Sequence, residues 1–368
     1  MTCDFHGQKI ARVVVKVGSS LLIRNGKVDR VWMRNFVKQV VALRQRGLEV
    51  VVVSSGAIGY GAQLLNKDRA QLTLPEHQAA AAVGQAHLMR AYDYTFRRYG
   101  VISAQILFTR ENFDQRLRYW HASNTLSTLL KEGTVPIVNE NDTVSVDEIR
   151  VGDNDTLAAL MTHLTRANLL VVLTEVDGLY DYDLNEKIDI VPDINQKVLN
   201  LIRPEKTSLG TGGMGTKVAA AKMVTQSGES AVIAGGRIPN VLDRLFKSET
   251  VGTYFPPNLR RMSSKKIWIA FAGASRGRIY VDKGASESLK KKGSSLLSSG
   301  VLSVEGDFEP GDLIDVLVGK NLVARGLTNF SAGNIDKIKG FKASEIKKIL
   351  GKKTYEEVVN RDNLALVS

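Results

Sequence analysis

The chain has 368 residues, 43% of them hydrophobic and 24% charged, with a formal net charge of +12 and a single cysteine, Cys3. This composition excludes a disordered chain, a fibrous repeat and a disulfide-stapled module, and the length suggests two domains at roughly 100–200 residues each. An excess of basic residues fits either a nucleic-acid surface or an enzyme with anionic substrates.

The opening segment MTCDFHGQKIARVVVKVG lacks the apolar core of a signal peptide, and no later stretch is long enough to cross a bilayer. With one cysteine, this reads as a cytoplasmic protein. The first strand is expected over 11–17, ending in Lys16-Val17-Gly18-Ser19-Ser20. A helix over 29–46 follows, with Val31, Phe36, Val37, Val40, Val41 and Leu43 broadly on one face. Residues 49–53, with four valines, read as a strand buried on both sides that opens into Ser54-Ser55-Gly56-Ala57-Ile58. Pro75 starts an alanine-rich helix reaching about Arg98; then come a strand over 101–107, a helix over 122–131 and a strand over 134–138.

The polar stretch 139–156, NENDTVSVDEIRVGDNDT, follows that strand. It carries two clusters, Asn139 to Asp142 and Asp153 to Asp155, separated by a segment that reads as an exposed hairpin or arm over 143–151. Either cluster alone could simply mark a turn or a helix cap. Two of them at strand ends or helix starts point to the edge where open α/β sheets bind ligands. Further strands are expected over 169–173 and 230–234, and helices over 218–226 and 240–246. This strand–helix alternation argues for a mostly parallel sheet sandwiched by helices. Past Pro256-Pro257 the pattern changes to short strands, expected over 268–271, 278–281, 301–304 and 313–318. The expected organisation is an α/β domain over 1–255, a linker over 256–264 and a small mostly β domain over 265–368.

Lys16 at a strand end and Lys217 at the end of the glycine-rich run Gly210-Thr211-Gly212-Gly213-Met214-Gly215-Thr216-Lys217 suit phosphate oxygens. Glycines allow close backbone approach, helix N-termini offer free N–H groups, and lysine brings mobile positive charge. Neither motif fits a Walker A loop or a dinucleotide fingerprint. Two lysines with carboxylates between them favour phosphoryl transfer, which needs positioning and charge stabilisation more than covalent help. A carboxylate acceptor, ionised at neutral pH, would need no general base, in keeping with five histidines that match no triad or metal spacing.

These motifs, with Val14-Val15-Lys16-Val17-Gly18, Asn139-Glu140-Asn141-Asp142 and Val151-Gly152-Asp153-Asn154-Asp155, resemble the glutamate 5-kinase family of amino acid kinases. Ile279-Tyr280-Val281-Asp282-Lys283-Gly284, Gly293-Ser294-Ser295-Leu296-Leu297 and Phe308-Glu309-Pro310-Gly311-Asp312 resemble the PUA domain that many of its bacterial members carry. The resemblance implies transfer of the ATP γ-phosphoryl group to the side-chain carboxylate of L-glutamate, the first step of proline biosynthesis, with Mg2+ arriving on ATP. Carried over by position, Lys16, Lys217 and Asp155 are the catalytic set, and Ser55, Gly56, Asn139, Asp142 and Asn154 line the glutamate site. ATP would meet Lys16, Thr174, Glu175, Thr211, Gly212, Gly213, Met214, Gly215, Thr216 and Lys217. The family often has aspartate where this chain has Glu175, and serine where it has Gly215. The resemblance also implies a homo-oligomer and L-proline as feedback inhibitor. PUA domains elsewhere commonly bind RNA, but an RNA-binding protein with a degenerate kinase domain is disfavoured by the presence of both lysines and Asp155. Acetylglutamate and aspartate kinases are the nearest enzyme alternatives; the Asn139 to Asp142 cluster and the appended domain weigh against them.

Overall fold

The computed structural model describes residues 2–24, 26–109, 111–114, 116–144, 154–203, 213–247, 249–258, 262–351 and 355–367. They belong to two compact units, Met1–Arg261 and Met262–Ser368.

The first unit is built on a seven-stranded sheet of β1 (Arg12–Val17), β2 (Glu49–Val53), β3 (Ser103–Phe108), β4 (Val135–Glu140), β5 (Leu169–Thr174), β6 (Ser230–Gly235) and β7 (Thr253–Phe255). The spatial order is β7-β6-β5-β1-β2-β4-β3, all parallel except β7. The strands read as continuous apolar runs because both faces are covered: Val13, Val14, Val15, Val50, Val51, Val52, Leu170 and Val171 are all buried. The main helices are α1 (Arg30–Gln45), α2 (Ala57–Leu64), α3 (Leu74–Arg97), α4 (Arg116–Lys131), α5 (Asn154–Thr165), α6 (Met214–Gln226) and α7 (Val241–Leu245). Asp29 caps α1 by accepting from the Trp32 N–H at 2.9 Å, and α3 opens with a Thr73/Glu76 capping box and Pro75. Val31, read as part of the apolar face of α1, is instead 60% exposed, since it lies off the stripe of Met33, Phe36, Val37, Val40 and Val41 that the helix buries.

The topology places the site. From β1 the chain moves to β2, out to β3 at the sheet's edge and back in to β4, then crosses through α5 to β5 on the other side of β1. The carboxyl ends of β1, β2, β4 and β5 therefore gather at a switch point, where such sheets bind ligands.

Helices α2 and α3 cross with backbones in direct contact. A β-carbon on Gly61 would lie 1.8 Å from the Ala80 carbonyl oxygen, and one on Gly84 would lie 1.8 Å from the Ala57 carbonyl oxygen. Only glycine fits at this crossing, which locks the start of α2 to the middle of α3. Gly84→Ala is expected to destabilise the first unit by about 1–3 kcal/mol or more, because backbone cannot yield as a side chain does. Gly333→Ala in the second unit, where a β-carbon meets nothing within 4 Å, should be neutral. Urea unfolding of both variants checks the contrast.

In the second unit β8 (Gly277–Val281), β9 (Val301–Gly306), β10 (Leu313–Val318), β11 (Asn321–Leu327) and β12 (Leu364–Leu366) form a five-stranded sheet in the order β9-β8-β10-β11-β12. Only β8 and β10 are parallel; the other pairs are antiparallel. Helices α8 (Lys283–Lys292), α9 (Ala332–Ile338) and α10 (Ala343–Leu350) accompany it. The strand expected over 268–271 is instead a π-helical turn, Trp268–Ala272. Its carbonyls find a donor that a short apolar run does not reveal: buried Arg325, paired with Asp315 at 2.9 Å, donates to the carbonyls of Ala270 at 3.2 Å and Gly273 at 2.6 Å.

Candidate active site

Lys16 lies near the end of β1, Asp155 in the first turn of α5 and Lys217 in the first turn of α6. Asp155 is fully buried, with one carboxylate oxygen 2.6 Å from Lys16 Nζ and the other 3.1 Å from Lys217 Nζ. The Thr216 hydroxyl donates to the second oxygen at 2.8 Å, and Lys217 also donates to the Gly213 carbonyl at 3.2 Å. Burial pushes the Asp155 carboxyl upward, but the charges of Lys16 and Lys217 and the hydrogen bonds from Lys16 and Thr216 outweigh it and hold the group below the ordinary carboxylate range. Two ammonium groups sharing one carboxylate leave a formal excess of one positive charge at the sheet's carboxyl edge. That excess is complementary to a phosphoryl group.

A second cluster is neutral. Asn154 Nδ2 donates to the Ser54 carbonyl at 2.9 Å and lies 3.0 Å from both Ser55 Oγ and Asn139 Oδ1. Asn139, at the end of β4, donates from Nδ2 to Gln85 Oε1 at 2.9 Å, while its Oδ1 also accepts the Glu140 N–H at 3.0 Å. Tyr92, one helical stretch beyond Gln85 on α3, lies 3.2 Å from Ser54 Oγ, and burial raises its phenol well above the ordinary range. Gln85 and Tyr92 were not singled out from the sequence. Their signal was there: Ala81, Gln85, Leu88 and Tyr92 share helical spacing and are all buried.

Gly56 follows Ser55 with φ +90° and starts α2, a conformation that glycine adopts without strain. Asp142 is half-buried in the turn after β4. Thr174 ends β5 and its carbonyl accepts the Gly236 N–H at 2.7 Å, while Glu175 is exposed beyond it. Gly213 caps α6, and Met214, Gly215 and Thr216 form its first turn with Lys217. This helix begins four residues before the expected 218. Thr211 and Gly212, Asp153, and most of the arm expected over 143–151 lie outside the described residues. Of the histidines, His163 is partly buried between α5 and α6, where Nε2 meets Ser227 Oγ at 3.2 Å and desolvation pulls its pKa down to about 4. It is a neutral packing residue.

The first unit, a mostly parallel α/β sheet with a cation–carboxylate–cation cluster at its switch point, is of the amino acid kinase class. A model of the amino acid kinase family matches residues 11–235, and one of the PUA domain matches residues 277–350. Glutamate 5-kinase of Thermoanaerobacter sp. strain X514 is 47% identical over 97% of this chain and 98% of that protein. The enzymes of the same name from Geobacter sp. strain M21 and Carboxydothermus hydrogenoformans are each 45% identical over 98% of both chains. The chain belongs to the glutamate 5-kinase family.

Proposed function

We propose that the chain transfers the γ-phosphoryl group of ATP to the side-chain carboxylate of L-glutamate, giving glutamyl 5-phosphate for proline biosynthesis. The observation that carries the mechanism is the single buried carboxylate shared by Lys16 and Lys217. A glutamate carboxylate oxygen attacks the γ-phosphorus, the bond to the β–γ bridging oxygen breaks, and ADP leaves with that electron pair. No proton moves, because a carboxylate with an ordinary pKa of about 4 is already ionised at neutral pH. Lys16 and Lys217 hold phosphoryl oxygens as charge passes from the attacking to the leaving oxygen, and Asp155 fixes both ammonium groups before substrate arrives.

Ser55, Gly56, Asn139, Asp142 and Asn154 take the amino acid, with Asp142 suited to the α-ammonium and the first N–H groups of α2 suited to a carboxylate. Thr174, Glu175 and the segment 211–217 take the nucleotide. Among the described residues no cluster of three or more His, Cys, Asp or Glu is placed to hold a metal ion. Both oxygens of Asp155 are engaged by ammonium groups, so Asp155 does not fit as a ligand. Magnesium enters as the counter-ion of the ATP phosphates, which is its usual role in phosphoryl transfer, and no step is assigned to it.

Trapping the acyl phosphate with hydroxylamine tests the reading. With Mg-ATP, L-glutamate should give product, while N-acetylglutamate and L-aspartate should give little. Product from another acceptor alone would keep the kinase chemistry and overturn the substrate. L-Proline as inhibitor and a homo-oligomeric state rest on family resemblance. Proline should slow product formation most at low glutamate, and no slowing there would remove it as a regulator.

A further inference from the structure

The amide cluster has a direction that its backbone partners fix. Asn139 Oδ1 must be an acceptor, because the Glu140 N–H reaches it at 3.0 Å, and Asn154 Nδ2 must be a donor, because it meets the Ser54 carbonyl at 2.9 Å. Asn139 therefore turns its Nδ2 to Gln85, and Gln85 answers with Oε1 at 2.9 Å. Each end of this chain is left with one unused atom: Gln85 Nε2, a donor, and Asn154 Oδ1, an acceptor. Among the described residues both are buried without a partner. Gln85 is only 8% exposed, so water does not satisfy it freely.

A buried polar atom without a partner is costly and in native proteins calls for a specific occupant. A donor and an acceptor at the two ends of one relay match a ligand that carries a carboxylate and an ammonium, as an α-amino acid does. Resting on the acceptor assignment above, we propose that Gln85 belongs to the acceptor site. Its Nε2 donates to a carboxylate oxygen of the bound amino acid, while its Oε1 holds Asn139 and, through it, Asn154 in the orientation that presents Asn154 Oδ1 to the ammonium. The Gly61–Gly84 crossing pins α3 beside Gln85 and so sets its reach.

The test is steady-state kinetics on the full chain with two variants. Gln85→Leu removes both ends of the amide. Gln85→Glu keeps the volume and the acceptor for Asn139 but replaces the donor with a negative oxygen, so its fold should be retained. Both should raise the KM for L-glutamate about tenfold to a hundredfold, as expected for loss of a hydrogen bond to a charged group, with the KM for ATP within about twofold of wild type. In parallel, the thermal stabilisation given by L-glutamate should fall while that given by a non-hydrolysable ATP analogue persists. An unchanged glutamate KM in either variant would overturn donation by Nε2. Wild-type protein that makes no product from glutamate would instead overturn the acceptor assignment, so the two failures are distinguishable.

Discussion

Asp155→Asn is expected to destabilise the first unit by about 3–5 kcal/mol and to abolish measurable phosphoryl transfer. Removing one partner of a buried ion pair leaves the other charge uncompensated. Here it would leave two, Lys16 and Lys217, both buried and both within 3.1 Å of the lost carboxylate. The cause can be separated from lost packing, because asparagine is nearly isosteric. If repulsion between the two ammonium groups dominates, Asp155→Asn combined with Lys217→Met should regain part of the stability but none of the activity. Urea unfolding of the three proteins gives the comparison, and a double variant no more stable than Asp155→Asn would refute the electrostatic cause. The pH dependence has a definite sign. Asp155 has a depressed pKa in the folded state, so the unfolded chain binds its proton more readily. Its stabilisation is present above the ordinary value of 3.8 and is lost as pH falls below it toward the depressed folded value. That acid-side slope should be shallower in Asp155→Asn.

The sheet strands of the first unit, apart from the three-residue edge strand Thr253–Phe255, were legible because burial on both faces writes unbroken Val and Leu runs, as in Glu49–Val53 and Leu169–Thr174. Their order was not, since a sheet that returns past its first strand leaves no mark on periodicity. The helix over 57–64 was not expected, because Gly59 and Gly61 weaken a helical pattern, yet Gly61 is needed where α2 meets α3. Helix α8, KGASESLKKK, carries few apolar residues and hides among lysines. Residues 268–271 read as strand because a short apolar run fits either period; the helical turn found there is held by Arg325, more than fifty positions away.

The site divides the same way. Charged groups announce themselves, so Lys16, Asp155 and Lys217 stand out as candidates, and the structure brings them together. The neutral relay announces itself only in part: Asn139 and Asn154 stand out in their polar clusters, and Gln85 does not. Gln85 sits in an alanine run where its helical spacing with Ala81, Leu88 and Tyr92 marks a buried face, and only the fold shows that it meets Asn139. Polar atoms that act through orientation rather than charge become visible only when their partners are in place.

Lys217→Ala is expected to lower kcat by about a hundredfold to a thousandfold, the 2.7–4 kcal/mol typical of losing one preorganised charge-stabilising donor. The fold should survive, in contrast to Asp155→Asn, because the remaining carboxylate keeps Lys16 at 2.6 Å and the Thr216 hydroxyl at 2.8 Å. The KM for glutamate should change little, since Lys217 Nζ bonds Asp155 and the Gly213 carbonyl, while Asn139 and Asn154 bond each other, Gln85, Ser54 and Ser55. The split between kcat and KM is the informative part. A cation that acts on charge developing between γ-phosphorus and the leaving oxygen stabilises the transition state more than the bound substrates, so its loss appears in kcat and kcat/KM together. A rise in KM for ATP with kcat preserved would assign Lys217 to nucleotide binding alone, and an unchanged kcat in folded protein would remove it from catalysis. Lys217→Arg sharpens the test. Arginine keeps the charge but its planar fork is bulkier than an ammonium, and in a pocket where Lys217 is only 6% exposed it cannot keep both the Asp155 contact and the same reach toward phosphate. Most of the loss should therefore remain, which would tie the effect to the position of the charge as well as to its sign.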